Sequence, residues 1–410
     1  MKKLFFYLSI FALPLWGCSN NSADDEPPTG GDEPVEEIQF SEEDAAIAAQ
    51  MQGFNMDFFK AAIAINQPDG NVVVSPLSAQ ILLSMFANAA DETIAAQISD
   101  ALGYGNVAEL NELCSKYLKG LPAIDKTTVM SFANSLWYQQ GYKLNPTFND
   151  VLANYYDSDV FGRPLLSGAP SIVEEINGWV SKKTENMIPR IIEKLNNNVE
   201  AILINALYFK GEWANPFEQE ETTKKEFNGI DGKSWVDMMH KLGLQHYCET
   251  ETFQAVKMEF GNKSYEAIFV LPNAETTIDQ FISSGALSEL DKLRYNDDFI
   301  DFSFPKFKIE PELFEINDAL TMLGISPLDE LRDYDIFTPS RSAMCRVWHG
   351  ATIEFNEKGA EGAGVTFAGM VSGGPGEPKI PVVNFDRPFM FFVRETTTGA
   401  MVFAGKIMKL

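Results

Sequence analysis

The chain has 410 residues, of which 45% are hydrophobic and 31 are phenylalanine, so it can bury the core of one large globular domain or of two. Its formal net charge of −26 argues against binding to nucleic acid or to anionic membrane surfaces, although solubility alone also explains such a charge. With three histidines and no GxSxG, HExxH, GxGxxG or P-loop sequence, it lacks the usual nucleophile, zinc and nucleotide motifs. We therefore expect no enzyme activity, no cofactor and no metal.

The first residues have the features of an export signal. Two lysines precede an apolar run that is too short for a membrane span, and Gly17-Cys18 follows it. A small residue directly before a cysteine resembles the lipobox of bacterial lipoproteins, in which the cysteine is lipidated, although Trp16 departs from the small residue usual at its position. We expect residues 1–17 to be a lipoprotein signal peptide and Cys18 to carry the lipid. An ordinary signal peptide with an incidental cysteine is the alternative.

Residues 18–42 are polar, acidic and interrupted by proline and glycine, a composition that cannot bury a core. We expect a disordered tether. Its acidic run Asp24-Asp25-Glu26 is similar to the surface-export signals of some Gram-negative lipoproteins. The predicted location is therefore the outer membrane or cell surface of a Gram-negative bacterium, with the periplasmic leaflet as the alternative. The lipid would be the only contact with the membrane.

Three cysteines remain if Cys18 is lipidated, namely Cys114, Cys248 and Cys345. An odd number cannot pair completely within one chain, and their spacing matches no metal motif. Buried free thiols are the interpretation that we favour, because free cysteine is common in protein cores.

Hydrophobic periodicity predicts helices and strands that are intermixed without regular strand–helix repeats, which favours an α+β fold. No internal repeat or domain boundary is found after the tether, so residues 43–410 are predicted to form one domain. Helices are predicted at residues 43–65, 91–102, 107–118 and 171–185, with a further helix from Pro76, and strands at 71–74, 127–137 and 201–209.

The segment from residue 349 to 375 has the composition of a loop that is able to join a sheet. Its beginning alternates as in a strand, with Thr352 and Glu354 on the polar face. From residue 360 to 370 every second residue is uncharged, and only the last of these is large. Glycine weakens a strand that stands alone, and the glycines and prolines that follow exclude regular structure.

The segment from residue 349 to 375, together with several other sequence segments along the chain, resembles the serpin family of serine-protease inhibitors over roughly residues 43–410. The most specific string is NALYFKGEWANPF at residues 205–217, and the segment from residue 349 resembles the hinge of the family's reactive-centre loop. NVVVSPLS, FSFPKFKIEPELFEINDALTMLGI and the terminal PFMFFVRETTTGAMVFAGKI are similar to other segments of the family. The resemblance implies the serpin fold, with several helices packed around three β-sheets and an exposed reactive-centre loop at about residues 357–380.

The resemblance also implies the positions of the residues that control the loop and the sheet. His349 is expected to be a hydrogen-bonded core histidine near Asn205 and Ser75, at the place where the sheet opens, and capping of a helix is a second role for the serines. The residues assigned to sheet opening (the shutter and breach) are Ser75, Ser78, Asn205, Trp213 and His349. The residues assigned to the hinge are Glu357, Gly359, Ala360, Gly362, Ala363, Gly364 and Thr366.

In the mechanism that the resemblance implies, a protease attacks the loop and forms an acyl-enzyme, and the cleaved loop then enters the central sheet as a new strand. Counting from Glu357 places the residue on the acyl side of the reactive bond at Ser372 or Gly373, whereas counting back from the C-terminal side places it nearer Glu377. The range considered also includes Met370, Val371 and Gly374. Small and medium apolar residues there suit elastase-like or papain-like proteases, and Lys379 lies too far along for a productive trypsin-like site.

Two functions on this fold remain open. The first is suicide inhibition of a serine or cysteine protease, in a covalent complex formed by a monomer, and it is favoured because Ala360 and Gly364 are small and uncharged. The second is a non-inhibitory binding lipoprotein that is only a protease substrate. We expect no heparin activation, because the helix at residues 107–118 has only Lys116, with Lys119 just beyond it, where heparin-activated serpins carry a basic cluster.

Overall fold

Helices and strands follow one another without regular alternation, which gives the α+β class that the sequence predicts. The structure, a computed structural model, describes residues 41–66, 69–103, 105–287, 294–309, 314–359 and 380–410. The helices among them are α1 (Glu42–Ile65), α2 (Pro76–Ala87), α3 (Glu92–Ala101), α4 (Val107–Gly120), α5 (Pro146–Tyr156), α6 (Pro170–Lys183), α7 (Ile278–Ser283) and α8 (Asn317–Met322).

The described strands range in length from two residues to 18. In chain order they are β1 (Val72–Val74), β2 (Val129–Gln139), β3 (Asp159–Arg163), β4 (Ala201–Lys210), β5 (Thr223–Gly229), β6 (Gly232–Glu249), β7 (Phe253–Phe260), β8 (Tyr265–Pro272), β9 (Asn296–Pro305), β10 (Phe307–Ile309), β11 (Phe314–Glu315), β12 (Arg332–Tyr334), β13 (Arg341–Ala343), β14 (Trp348–His349), β15 (Ile353–Phe355), β16 (Val382–Asn384), β17 (Phe389–Glu395) and β18 (Met401–Ile407).

Polar side chains fix where the first helices begin. Ser41 and Asp44 form a capping box at the start of α1, so two of the otherwise unpaired backbone N–H groups are satisfied. Ser75 accepts from the backbone N–H of Ser78 at the start of α2, and Pro76 occupies the first helical position, where its missing N–H costs nothing. The capping role expected for Ser75 is therefore present in the structure.

Nine of the 18 described strands belong to one sheet in the order β1-β18-β17-β8-β7-β6-β9-β16, with β5 paired to β6. Strands β8, β17 and β18 lie in its middle and are almost entirely buried, as expected for strands covered on both faces. Phe355 of β15 is fully buried against this sheet, with its ring 5.4 Å from that of Phe269 and 5.2 Å from that of Phe391. Burying one such ring contributes roughly 2–3 kcal/mol.

A separate three-stranded sheet, β3-β2-β4, carries α6 on one face. Between them lies a small core of its own, in which Trp137 stacks on Phe161 with ring centroids 4.2 Å apart and meets Trp179 edge-on. This arrangement places α6, and the irregular segment that follows it, over the outer face of β4.

The remaining strands form three two-stranded ladders, β10–β15, β11–β14 and β12–β13. This is a finer division than the three sheets expected, because within the described residues no ladder joins β4 to β15. The strand predicted from residue 349 onward is also divided, into β14 and β15. Thr352, predicted on the polar face, is buried, since it lies between these strands and its hydroxyl donates to the Ile309 carbonyl at 2.8 Å.

The structure also bears on the state of the cysteines and on membrane-spanning helices. The three cysteines are free: Cys114 is buried, whereas Cys248 and Cys345 are half-buried. No described helix combines the length and hydrophobicity that crossing a bilayer requires.

Candidate functional site

The structure brings four of the predicted sheet-opening residues together in one buried polar cluster. Nε2 of His349 accepts a hydrogen bond from the backbone N–H of Ser75 at 2.9 Å, across 274 residues of sequence. The hydroxyl of Ser78, three residues further along α2, donates to the side-chain carbonyl of Asn205 on β4. The start of α2 therefore joins β14 on one side to β4 on the other.

Asn205 continues this cluster into the three-stranded sheet. Its amide donates to the side-chain carbonyl of Asn134 on β2 at 2.6 Å, and the Asn134 amide donates to the backbone carbonyl of Tyr156 at 2.7 Å. Every one of these side chains is buried, so each hydrogen bond satisfies a group that would otherwise be costly to desolvate. The cluster is specific to one position of β4 relative to α2, because a shift of either element leaves several buried groups unpaired.

The imidazole of His349 is held neutral by its surroundings. Burial lowers the pKa of His349 from 6.5 to about 4, because a charged ring would lose its hydration. The ring of Phe58 packs edge-on against it, with centroids 5.5 Å apart. Since Nε2 accepts from Ser75, that nitrogen carries no proton.

Trp213 lies at the opposite end of β4 and contacts the beginning of the predicted loop. Its backbone N–H donates to the Lys358 carbonyl at 2.9 Å and its indole N–H to the Asn356 carbonyl at 3.1 Å. The indole is buried and stacks on Phe260, with ring centroids 4.3 Å apart. Residues 356–358 are therefore fixed by a tryptophan whose backbone and indole N–H groups both donate to them.

The carboxylate of Glu357 is anchored by two partners that the sequence analysis did not identify. It accepts from Lys306 at 3.0 Å and from the hydroxyl of Thr222 at 3.0 Å, and the Glu357 carbonyl accepts from Phe217 at 2.8 Å. Burial alone would raise the pKa of Glu357, but hydrogen bonds from its own backbone and from its two partners hold it below the ordinary value. Lys306 lies 51 residues away in sequence, and only tertiary packing makes it a partner.

Between the polar cluster and Trp213, strands β4 and β15 border a narrow cleft, hereafter the slot. Within the described residues β4 pairs only with β2 and β15 only with β10, so no ladder between these two strands crosses the slot. The slot is a cavity of ≈ 20 Å³, room for about one water molecule. Its lining residues are Met187, Leu207, Tyr208, Phe209, Lys210, Thr352, Ile353 and Glu354.

The two strands of the slot run in the same direction. At one end of the slot, Asn205 and His349 are joined through the start of α2. The chain then runs through β4 from Asn205 to Trp213, and through β15 from His349 to Asn356, and Trp213 and Asn356 meet at the other end. A segment leaving the second strand at Gly359 therefore stands at the mouth of the slot, where Glu212 and Gly359 form an isolated antiparallel bridge. If it turned back between the strands, it would run antiparallel to both.

Gly359 occupies a conformation that other residues rarely adopt, with φ +133°. A Cβ added there would lie 2.3 Å from the Gly211 carbonyl oxygen. We expect Gly359→Ala to lower the free energy of unfolding by roughly 2 kcal/mol or more, because both the backbone and the Trp213 contacts must shift. Thermal unfolding measures the effect.

The matched control for this substitution is Gly178→Ala in α6. That glycine has a helical conformation and no atom within 4 Å of its would-be Cβ, so alanine should be neutral or stabilising by about 0.5–1 kcal/mol. Equal destabilisation by both substitutions would contradict the assignment of strain to Gly359.

Several predicted site residues lie outside the described residues. These are Cys18, the hinge residues Ala360, Gly362, Ala363, Gly364 and Thr366, and the reactive-bond candidates Met370, Val371, Ser372, Gly373 and Gly374. Within the described ranges no group of three or more His, Cys, Asp or Glu side chains is placed to hold a metal ion.

Comparison with known proteins agrees with this architecture. Residues 49–410 match the family model for Serpin (serine protease inhibitor). The chain is 27% identical over 372 residues to the leukocyte elastase inhibitor of Homo sapiens, covering 86% of this chain and 96% of the relative, and 28% identical over 378 residues to the thyroxine-binding globulin of Sus scrofa, covering 88% and 89%.

Among solved structures, native tengpin, a thermophilic serpin, superposes with a TM-score of 0.78 at 26% identity, covering 92% of this chain and 97% of that chain. The predicted serpin fold is thus confirmed. Because the matched family model spans most of its length, this chain belongs to the serpin family, whose members are generally protease inhibitors rather than catalysts.

Proposed function

We propose that this protein is a suicide-type inhibitor that traps a serine or cysteine protease as an acyl-enzyme. The nucleophile of the protease would attack the carbonyl of Ser372, and the amino group of Gly373 would leave, so that the protease becomes esterified to the new C-terminus. The freed segment would then enter the slot as a strand and carry the protease away from the position of attack.

The slot is the observation that carries this proposal. Among the described strands no ladder joins β4 to β15, so a new strand between them would bond to both, at a net gain of about 1 kcal/mol for each backbone hydrogen bond. The present cavity of ≈ 20 Å³ is too small for a strand, so the two strands must first move apart by roughly the 4.8 Å that separates paired strands. The cleaved state would therefore gain pairing that the described strands β4 and β15 do not make with each other.

The distortion of the trapped protease accounts for inhibition. Deacylation needs an aligned base and a preorganised oxyanion hole, so pulling on the acyl group slows the second half of the protease reaction. Met370, Val371 and Ser372 would occupy the substrate pockets, and their size suits an elastase-like or a papain-like enzyme. The similarity to the leukocyte elastase inhibitor of Homo sapiens supports the first of these.

We further propose that the inhibitor is an exported lipoprotein held by a lipid on Cys18. The basic start, apolar run and Gly17-Cys18 support the lipid anchor, and the acidic composition of residues 18–42 supports a tether that keeps the domain away from the membrane. The inhibitor would act as a monomer at the cell envelope, in the outer membrane or on the cell surface of a Gram-negative bacterium.

A second candidate is a serpin-fold binding protein that is cleaved without trapping. The similarity to the thyroxine-binding globulin of Sus scrofa supports it, because that relative is named for what it binds. The small hinge residues Ala360 and Gly364 favour inhibition instead, since a charged or bulky side chain there would hinder entry into a sheet.

The test is incubation of the purified full chain with pancreatic elastase, and separately with papain, followed by denaturing gels. We expect a band at the summed mass that survives SDS, and a released fragment whose sequence begins near Gly373. If a protease cleaves the chain completely without such a band, the cleaved product is melted. A midpoint higher by more than about 10 °C would show strand insertion and point to another target, whereas an unchanged midpoint would rule out inhibition by insertion.

A further inference from the structure

The outer face of strands β6, β9 and β16 is more apolar than the alternation of a half-exposed sheet predicts. On the inner face, Ile300, Phe302 and Val383 are fully buried, as expected. The outer face of such a sheet is normally polar. Here it exposes Leu242 by 54% and Leu244 by 63%.

Strand register brings further apolar residues to the same place. Leu242 lies opposite Asp301, and Asp301 lies opposite Val382, so these three side chains form one row across the three strands. Two strand spacings separate Leu242 from Val382, about 10 Å. Leu244 lies opposite Phe299 in the next row. The apolar face is defined here as Leu242, Leu244, Phe299, Ile380 and Val382.

Single exposed hydrophobic residues are ordinary, but a contiguous group on a flat sheet marks an interaction surface more often than not. Val382 is 61% exposed and Ile380, two residues earlier, is 45% exposed. At the centre of the group, the carboxylate of Asp301 is partly exposed and accepts from His240 at 3.1 Å. The surface is therefore apolar with one acidic group in its middle.

We propose that the apolar face is a docking surface for the target protease itself, which it contacts while the reactive bond occupies the active site. This inference rests on the proposed function. The complementary surface on the protease would be an apolar rim with one basic side chain opposite Asp301. The strongly acidic composition of the chain, with a formal charge of −26, favours such a basic partner.

The position of the face on the chain selects the protease over other partners. Ile380 is the last residue of the predicted loop and Val382 follows two residues later. Ile380 comes seven residues after Gly373, and a chain of that length can span at most about 25 Å. A protein partner of ordinary interface size covers about 800 Å² on each side, a patch roughly 30 Å across. A protease held at the Ser372-Gly373 bond is thus within reach of the apolar face.

The experiment measures docking separately from chemistry. Pancreatic elastase with its catalytic serine replaced by alanine binds without cleaving, so its Kd for the full chain reports docking alone. The triple variant Leu242→Ser, Leu244→Ser and Val382→Ser should bind roughly tenfold more weakly, since three apolar contacts are lost at a site from which water is excluded. The single variant Leu242→Ser changes one side chain and so disturbs folding less than the triple variant, and it should weaken binding about two- to threefold.

Leu331→Ser is the matched control, because Leu331 is 72% exposed but adjoins β12, outside the nine-stranded sheet. The Kd of the Leu331→Ser variant for the inactive elastase should equal that of the unmodified protein. An unchanged Kd for both the single and the triple variant would overturn the docking surface, as would the absence of any docking by the unmodified protein. The test with active elastase is a separate result, so docking that depends on the face but yields neither an SDS-stable band nor a higher melting midpoint of the cleaved chain would reject suicide inhibition and retain the docking surface.

Discussion

Gly364→Arg is expected to change the protein from an inhibitor into a substrate. With the protease that gives a covalent band, the variant should be cleaved at the same bond, but less than about a tenth of it should remain in complex. In a strand inserted into the slot, residue 364 belongs to the alternate set of uncharged side chains, so arginine there would face the core. Desolvating a guanidinium without a partner costs several kcal/mol, and each 1.4 kcal/mol slows the step about tenfold.

The kinetic competition explains why the effect is so large. The acyl-enzyme is either hydrolysed or pulled apart by insertion, and only insertion that outpaces hydrolysis traps the protease. Slowing insertion a hundredfold therefore shifts nearly all molecules to the substrate pathway, even if the cleaved product is stable in the end. Denaturing gels quantify the two products, and melting the cleaved variant reports whether its loop has entered the slot.

Glu361→Arg is the matched control for this prediction. Residue 361 belongs to the other alternate set, which would face solvent in the inserted strand, so a charge there should leave the fraction of covalent complex nearly unchanged. Ala360→Arg should behave like Gly364→Arg. Equal loss of complex in all three variants would contradict the assignment of faces, and equal retention would contradict insertion as the source of inhibition.

Helices α1, α2, α3, α4 and α6 were predicted because their signals are local. In α1 the apolar residues Met51, Phe54, Phe58 and Ile63 lie near helical spacing, and all four are buried in the structure. The start of α2 was predicted from a serine followed by proline. Such patterns depend on residues three or four positions apart, and neighbouring elements change them little.

The strands around the slot were predicted less well, because their pairing depends on distant parts of the chain. One strand was predicted from residue 349 through 355, whereas the structure has two short strands paired to different partners, β14 to β11 and β15 to β10. Nothing in the local sequence shows that β4 and β15 lie side by side without a ladder. That feature results from the packing of α2 and of the residues around Trp213 at the two ends.

The candidate site was predicted in outline through the family resemblance. Ser75, Ser78, Asn205 and His349 do lie together, although their role in opening the sheet remains a prediction. The partners that complete the site were not found, because Lys306 and Asn134 are ordinary polar residues without a local signal. Asn134 meets Asn205 only once β2 pairs with β4, and Lys306 meets Glu357 only through tertiary packing.

Lowering the pH from 6.5 to 4 is expected to remove about 3 kcal/mol of the unfolding free energy through His349 alone. Burial lowers its pKa to about 4 in the folded protein, from 6.5 in the unfolded chain. In that interval the unfolded chain binds a proton that the folded protein does not, so stability is complete above pH 6.5 and falls as the pH drops toward the folded pKa.

His349→Gln isolates this contribution from the carboxylates that titrate in the same interval. A glutamine carbonyl is able to accept from the Ser75 N–H but does not titrate, so the variant should be less stable than the unmodified protein at pH 7 and should approach or exceed it near pH 4. Denaturant unfolding at several pH values measures the difference between the two proteins. A difference that stayed constant across the interval would show that His349 is protonated equally in both states.

Protonation of His349 also bears on the slot, because the charged ring cannot accept from Ser75. The Ser75 N–H would then be buried without a partner, at a cost of about 1–3 kcal/mol. The connection from β14 through α2 to β4 would be weakened, because it begins with the hydrogen bond between Ser75 and His349. Since Ser78 and Asn205 hold the other half of that connection, acid should loosen the two edges of the slot before it unfolds the sheets. Hydrogen exchange at pH 5 should therefore rise first at the backbone amides of residues 75–78 and 205–210, and in His349→Gln this early rise should be absent.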